Sequence, residues 1–133
     1  MKFEITEYQV DSEKITKGCE FTFVFLSDLH IKDFGQNNQE LIEAIRQIKP
    51  DAVLSGGDMV LAKGIHSLDV PVKLLTMLAK DFSVYVARGN HEIRMERDRD
   101  VYGDQADVYR AALQKAGCVL LDNTQAVMEK NGN

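Results

Sequence analysis

The sequence predicts an α/β fold, with a mainly parallel β-sheet flanked by helices. Short apolar runs alternate with amphipathic stretches along the chain, and glycine or proline marks most of the changes. The length of 133 residues suits one domain. The order β-α-β-α-β-α-β, joined by right-handed crossovers, favours a parallel sheet with covered faces.

The first half of the chain predicts two strands and the helix between them. Residues 21–26 read FTFVFL, an aromatic and β-branched run typical of a buried strand. Residues 38–49 place apolar side chains at helical spacing, and Pro50 ends this helix. Residues 52–54 form the second predicted strand, which ends before the pair Gly56 and Gly57.

The second half repeats the pattern twice. Residues 70–80 predict a helix with Pro71 in its first turn, where a missing amide proton is tolerated. A strand over residues 83–87 follows, then a helix over residues 104–116 and a last strand over residues 118–121.

Both ends of the chain carry weaker signals. Residues 3–15 alternate weakly between apolar and polar and predict an antiparallel edge strand, and residues 126–130 are either a strand or a frayed polar tail. Asn131 and Gly132 are a strong hairpin-turn signal with no second arm, so we expect the domain to be truncated at its C-terminal end. An exposed strand near Met128 would allow a homo-oligomer through the sheet edge.

Composition limits the classes of function. The net charge of −5 argues against binding to nucleic acid through a basic surface. No apolar run approaches the ~20 residues of a membrane span, and the first ten residues lack a secretory signal pattern. Cys19 and Cys118 form no CxxC pair, so we expect reduced thiols and a cytoplasmic protein.

Three polar clusters follow three successive predicted strands. They are residues 28–30 (DLH), 56–58 (GGD) and 89–92 (GNHE). The carboxyl ends of neighbouring parallel strands meet at one crevice, so these clusters should converge. Their carboxylates, imidazoles and carboxamide can all bind a divalent transition metal, and mixed ligands of this kind suit Mn, Fe or Zn.

In these clusters the chain resembles the calcineurin-like metallophosphoesterases. The blocks SDLH, GGD and GNHE match the first three signature blocks of that family in order and spacing. The resemblance covers residues 21–121 and implies one metallophosphoesterase-like domain over residues 1–133. The expected fold is half of the αββα sandwich of that family.

The resemblance also implies which residues bind metal. Asp28 and His30 would bind a first metal, Asp58 would bridge two metals, and Asn90 would bind the second. A carboxylate is suited to the bridge because its two oxygens and its charge offset the repulsion between two cations. Up to two divalent transition metals are therefore expected as cofactors.

Other residues near the clusters receive roles in the reaction. By the resemblance, His91 faces the phosphate and stabilises the transition state or protonates the leaving oxygen, and Glu92 orients its imidazole. Arg94 is a candidate contact for a phosphate-ester substrate, because guanidinium groups bind phosphate bidentately. His66 is a loop residue that we expect to face solvent.

The expected function is a phosphoesterase that uses a dinuclear metal centre to activate water. The family also uses a later His and a Gly-His-x-His block, whereas this chain has three histidines in all. The chain is therefore expected to carry only part of the site and to have little activity alone. The alternative is a non-catalytic metal-binding or interaction module. An unrelated nucleotide-binding or phosphotransfer domain is disfavoured because no Gly-rich phosphate loop is present.

Overall fold

The computed structural model of the chain describes residues 2–133. Four strands alternate with five α-helices, and a short 3-10 helix, Gln36–Asn38, precedes the first of them. In chain order the elements are β1 (Phe23–Leu26), α1 (Gln39–Ile48), β2 (Ala52–Ser55), α2 (Asp69–Asp81), β3 (Ser83–Ala87), α3 (Asn90–Arg97), α4 (Arg99–Tyr102), α5 (Gln105–Lys115) and β4 (Val119–Leu121).

The strands form one parallel sheet in the order β1-β2-β3-β4. The register places Val24 beside Val53 and Val53 beside Val84, so these three side chains share one face. The predicted parallel α/β fold is confirmed, and the carboxyl ends of β1, β2 and β3 lie at one edge.

The helices pack on one face of this sheet. Val53, Val84 and Val86 point to that face and are at most 3% exposed. The helical side chains in the same core include Ile42, Ile45, Leu74, Leu75, Leu78, Met95 and Leu113. Burial of this apolar surface is the main driving force for the fold.

The opposite face of the sheet is open. Phe23 is 47% exposed, Phe25 67% and Val119 43%, although all three lie in strands. The expectation that both faces are covered is therefore wrong for the described residues. The physical reason is the sequential strand order, because crossovers of one hand then place every helix on the same side.

Helix α3, Asn90–Arg97, was not among the predicted elements. Its sequence, NHEIRMER, is rich in charge, and Glu92 and Met95 are its buried residues. Only two of its eight residues, Ile93 and Met95, are apolar, so no apolar run marks the segment as a helix. The third polar cluster therefore lies in the first turn of a helix rather than in a loop.

The edge strand predicted for residues 3–15 is absent from the described residues, and of the two alternatives for residues 126–130 the strand is not observed. Phe3 packs edge-to-face on Phe34, with ring centroids 5.5 Å apart, which holds the N-terminal segment beside the loop before α1. The turn at Asn131 and Gly132 does form, since Lys130 and Asn133 exchange two backbone hydrogen bonds of 2.9 Å.

Asp51 joins the start of the sheet to the C-terminal segment. Its carboxylate accepts a hydrogen bond from the Thr22 amide at 2.7 Å and lies 3.0 Å from the Lys130 ammonium. The Thr22 amide, and then Lys130, hold the pKa of Asp51 below its ordinary value. Ionised Asp51 therefore stabilises the fold.

We predict that Asp51→Asn lowers the free energy of unfolding at pH 7 by about 0.5–1 kcal/mol, as expected for a partly exposed ion pair. Because the folded pKa lies below the unfolded one, the ionised group stabilises the fold above about pH 4, and this stabilisation is lost as the pH falls through the folded pKa. Urea unfolding at several pH values should show the two proteins converging in acid. An equal effect of the exposed-site control Asp100→Asn would contradict the prediction.

Candidate metal centre

The loops that follow β1 and β2 run side by side. The backbone amides of Asp28, His30 and Ile31 donate to the carbonyls of residues 57–59, each at 3.0 Å. These bonds extend the pairing of the two strands beyond their ends. They place the first two polar clusters at the same edge of the sheet, as predicted.

The backbone of these two loops is strained. Asp28, His30, Ile31 and Asp58 all have positive φ, between 47° and 61°. Residues other than glycine rarely adopt this conformation, and a β-branched residue such as Ile31 does so least readily. Strain of this kind persists where surrounding contacts enforce it, and it concentrates at functional sites.

Two glycines allow the second and third loops to approach each other. A Cβ on Gly57, whose φ is +98°, would lie 2.2 Å from the Gly89 nitrogen, and a Cβ on Gly89 would lie 2.3 Å from Asp58 Oδ1. Any larger residue would therefore displace the backbone or the Asp58 carboxylate. Both positions require the absence of a side chain.

Glu92 links the loop after β2 to the loop after β3. Its side chain is buried, with the residue 3% exposed, and its carboxylate accepts hydrogen bonds from the amides of Asp58 at 2.9 Å, Met59 at 3.0 Å and Gly89 at 3.3 Å. Burial raises the pKa of Glu92, and the amide bonds act against that rise. The expected contact with the imidazole of His91 is replaced by these backbone contacts.

The His91 ring binds a backbone amide instead. The Ala62 N–H donates to His91 Nδ1 at 2.8 Å, so the neutral ring carries its proton on Nε2. The backbone N–H of His91 donates to Asp58 Oδ1 at 2.8 Å. Burial lowers the pKa of His91, while the Asp58 carboxylate opposes this shift.

Three side chains converge as candidate ligands. His30, Asp58 and His91 each place one donor atom within 4.8 Å of the others. The Nε2 atom of His30 is buried and has no hydrogen-bond partner, which suits a metal ligand because an unpaired buried nitrogen is otherwise unfavourable. His30 Nε2 and the Asp58 carboxylate therefore fit a divalent transition metal, whereas both ring nitrogens of His91 are already occupied, one by the Ala62 amide and one by a proton.

The remaining predicted ligands lie at the margin of this group. Asp28 lies outside it, with Oδ1 3.9 Å from His30 Nε2 and a side chain that is 64% exposed. Ser27 Oγ donates to Asp28 Oδ2 at 2.9 Å and orients the carboxylate. Asn90 is the exposed first residue of α3, directly before His91.

The other two candidates contact the loop after Asp58. Arg94 Nη1 donates to the Ala62 carbonyl at 2.9 Å, and His66 Nε2 lies 2.9 Å from the Lys63 carbonyl, outside the ligand group. The role of Ala62 had no signal in the sequence, because it acts through its backbone.

We predict that Gly57→Ala is more damaging than Gly18→Ala. Gly18 has a similar φ of +90°, and a Cβ added to it would have no neighbouring atom within 4 Å, so its substitution reports the backbone strain alone, about 1–2 kcal/mol. Gly57→Ala adds the clash with Gly89 and should lower the free energy of unfolding by about 1–3 kcal/mol more.

Urea unfolding measures both values, and calorimetric titration with Mn²⁺ should show weakened binding for Gly57→Ala only. Equal effects of the two substitutions on stability and binding would show that the close approach of the loops is not a constraint.

Comparisons with known proteins identify the family of this chain. The calcineurin-like phosphoesterase family matches residues 21–128. A protein of Aquifex aeolicus (strain VF5), named "Uncharacterized metallophosphoesterase", is 26% identical over 92 aligned residues, and the match covers 66% of this chain and 34% of the relative. The match thus spans about a third of that relative's length. No solved structure matches the chain. With four-fifths of its length inside the family match, the chain belongs to the calcineurin-like phosphoesterase family.

Proposed function

We propose that this chain provides the metal centre of a phosphoesterase, where two divalent cations, if bound, would supply the activation of water for hydrolysis of a phosphate ester. The observation that carries the proposal is the convergence of the ligand atoms of His30 and Asp58, with the Nε2 atom of His30 buried and unpaired and the His91 ring beside them. Family membership supports metal-dependent hydrolysis of phosphate esters.

The proposed ligands are divided between two metals. Asp28 and His30 would hold the first, Asp58 would contribute to both, and Asn90 would hold the second. The 3.9 Å between Asp28 Oδ1 and His30 Nε2 supports the first pair. When bound, two such cations lower the pKa of a water and stabilise the entering and leaving oxygens.

We assign His91 to proton donation rather than to metal binding. Its Nδ1 lone pair accepts the Ala62 N–H, and Nε2 then carries a proton and has no lone pair to offer a metal. An N–H at this position can stabilise the transition state or protonate the leaving oxygen. Glu92 acts on the reaction indirectly, by holding the loop that carries Asp58.

The number of donors supports an incomplete site. The first metal has three proposed protein ligands, whereas the second has only Asp58 and Asn90. We propose that the chain binds one cation well and a second weakly, and that further ligands come from polypeptide outside these residues. A non-catalytic metal-binding module is the second candidate, favoured by the same shortage of ligands.

The substrate is proposed to be a phosphate ester, with Mn, Fe or Zn as the metal. Among the described residues, no helix is both long and apolar enough to cross a bilayer.

The two cysteines are free thiols. Cys118 is buried, and burial raises the pKa of its thiol to about 11. These thiols support the proposal of a cytoplasmic location.

The test of function is turnover of bis(p-nitrophenyl) phosphate with and without added Mn²⁺. Asp58→Asn removes the charge of the proposed bridge with little change of shape, and we expect at least about a 100-fold loss of metal-dependent turnover. Asp69→Asn, at an exposed position of α2, is the control and should not differ from the wild type. The incomplete site predicts turnover that is weak but rises with added Mn²⁺, whereas metal binding with no turnover at any Mn²⁺ concentration would favour the non-catalytic module. Turnover that is unchanged in Asp58→Asn would reject the proposed centre.

A second experiment should distinguish the roles of His30 and His91. We predict that His30→Ala removes one Mn²⁺ from the stoichiometry measured by calorimetry. His91→Gln should retain the stoichiometry and lower turnover by about 10²–10⁴-fold, as expected for the loss of a proton donor. His66→Gln serves as the control for both measurements. Loss of metal from His91→Gln would make that residue a ligand and contradict the assignment.

A further inference from the structure

Ala62 is held on both sides by side chains of one helix. Its N–H donates to His91 Nδ1 at 2.8 Å, and its carbonyl accepts from Arg94 Nη1 at 2.9 Å. Ala62 is 1% exposed, so neither of these backbone groups can readily exchange its partner for water. The two helical residues are three positions apart and therefore share a face of α3.

The Arg94 contact differs from those of the neighbouring arginines. Arg97 pairs with Asp98, and Arg99 pairs with Asp107. Arg94 is half-buried and donates to a backbone carbonyl, which would otherwise be an unsatisfied acceptor near the metal centre. A charged donor forms a stronger bond to this carbonyl than a neutral one would.

We propose that Arg94 is a positioning residue for His91. By binding the Ala62 carbonyl, it holds the Ala62 N–H against Nδ1 and thereby keeps the Nε2 proton of His91 directed at the metal centre. Arg94 thus acts through a backbone segment rather than by binding the phosphate of the substrate. What that proton does rests on the proposed function, but the positioning itself does not.

The spectroscopic test uses the metal-free 133-residue chain labelled with ¹⁵N. A scalar coupling across the N–H···N bond between Ala62 and His91 Nδ1 should be seen in the wild type. It should disappear in Arg94→Met and return in Arg94→Lys, whose ammonium can reach the same carbonyl. Arg97→Met, on the same helix, is the matched control and should retain the coupling. Absence of the coupling in the wild type, or its retention in Arg94→Met, would overturn the proposal.

The kinetic test separates positioning from substrate binding. With Mn²⁺ and bis(p-nitrophenyl) phosphate, Arg94→Met should lower kcat by about 10–100-fold with KM nearly unchanged, because a misplaced proton donor affects the transition state. Arg94→Lys should recover most of this loss. If KM rises while kcat is unchanged, Arg94 binds substrate and the proposal is wrong.

The two tests fail in different ways. A wild-type chain with no metal-dependent turnover would count against the proposed function, while the coupling experiment would still decide the positioning. If Arg94→Met does not fold, Arg94→Gln replaces it, and comparison with Arg94→Lys decides whether a cationic donor is required.

Discussion

The whole site depends on one buried carboxylate that binds three backbone amides. Glu92 reaches from α3 to the amides of Asp58, Met59 and Gly89, and so ties the loop after β2 to the start of the helix. The loops can come this close because Gly57 and Gly89 have no side chains. Burial disfavours the ionised form of Glu92, and the three amide hydrogen bonds offset part of the free-energy cost of placing a carboxylate there.

Backbone hydrogen bonding also distinguishes the two histidines of the site. The buried Nε2 atom of His30 has no hydrogen-bond partner, whereas the Nδ1 lone pair of His91 accepts the Ala62 N–H. Two imidazoles whose ring centroids are 4.8 Å apart therefore differ in chemistry because of what the surrounding main chain offers them. One is left able to accept a cation, and the other is left able to give a proton.

Periodicity predicted the strands and the long helices within a few residues, and the polar clusters at the strand ends indicated the site. The prediction of an antiparallel strand over residues 3–15 was wrong. Alternation of apolar and polar residues does not show whether a partner strand lies alongside, and Phe3 packs on Phe34 instead. The partners of Glu92 and His91 could not be predicted, since the spacing of residues carries no information on where a backbone N–H points. Helix α3 was missed because its sequence is dominated by charged and polar residues, with only Ile93 and Met95 apolar.

The open face of the sheet has a consequence for how this polypeptide behaves in a test tube. Phe23, Phe25 and Val119 present apolar side chains to water on this face. The helical layer lies on the other face and does not shield them, so we expect this face to promote association of the isolated chain at high concentration. Mild detergent or arginine in the buffer would be the first remedy to try when the isolated chain is purified, before any change to its buried residues.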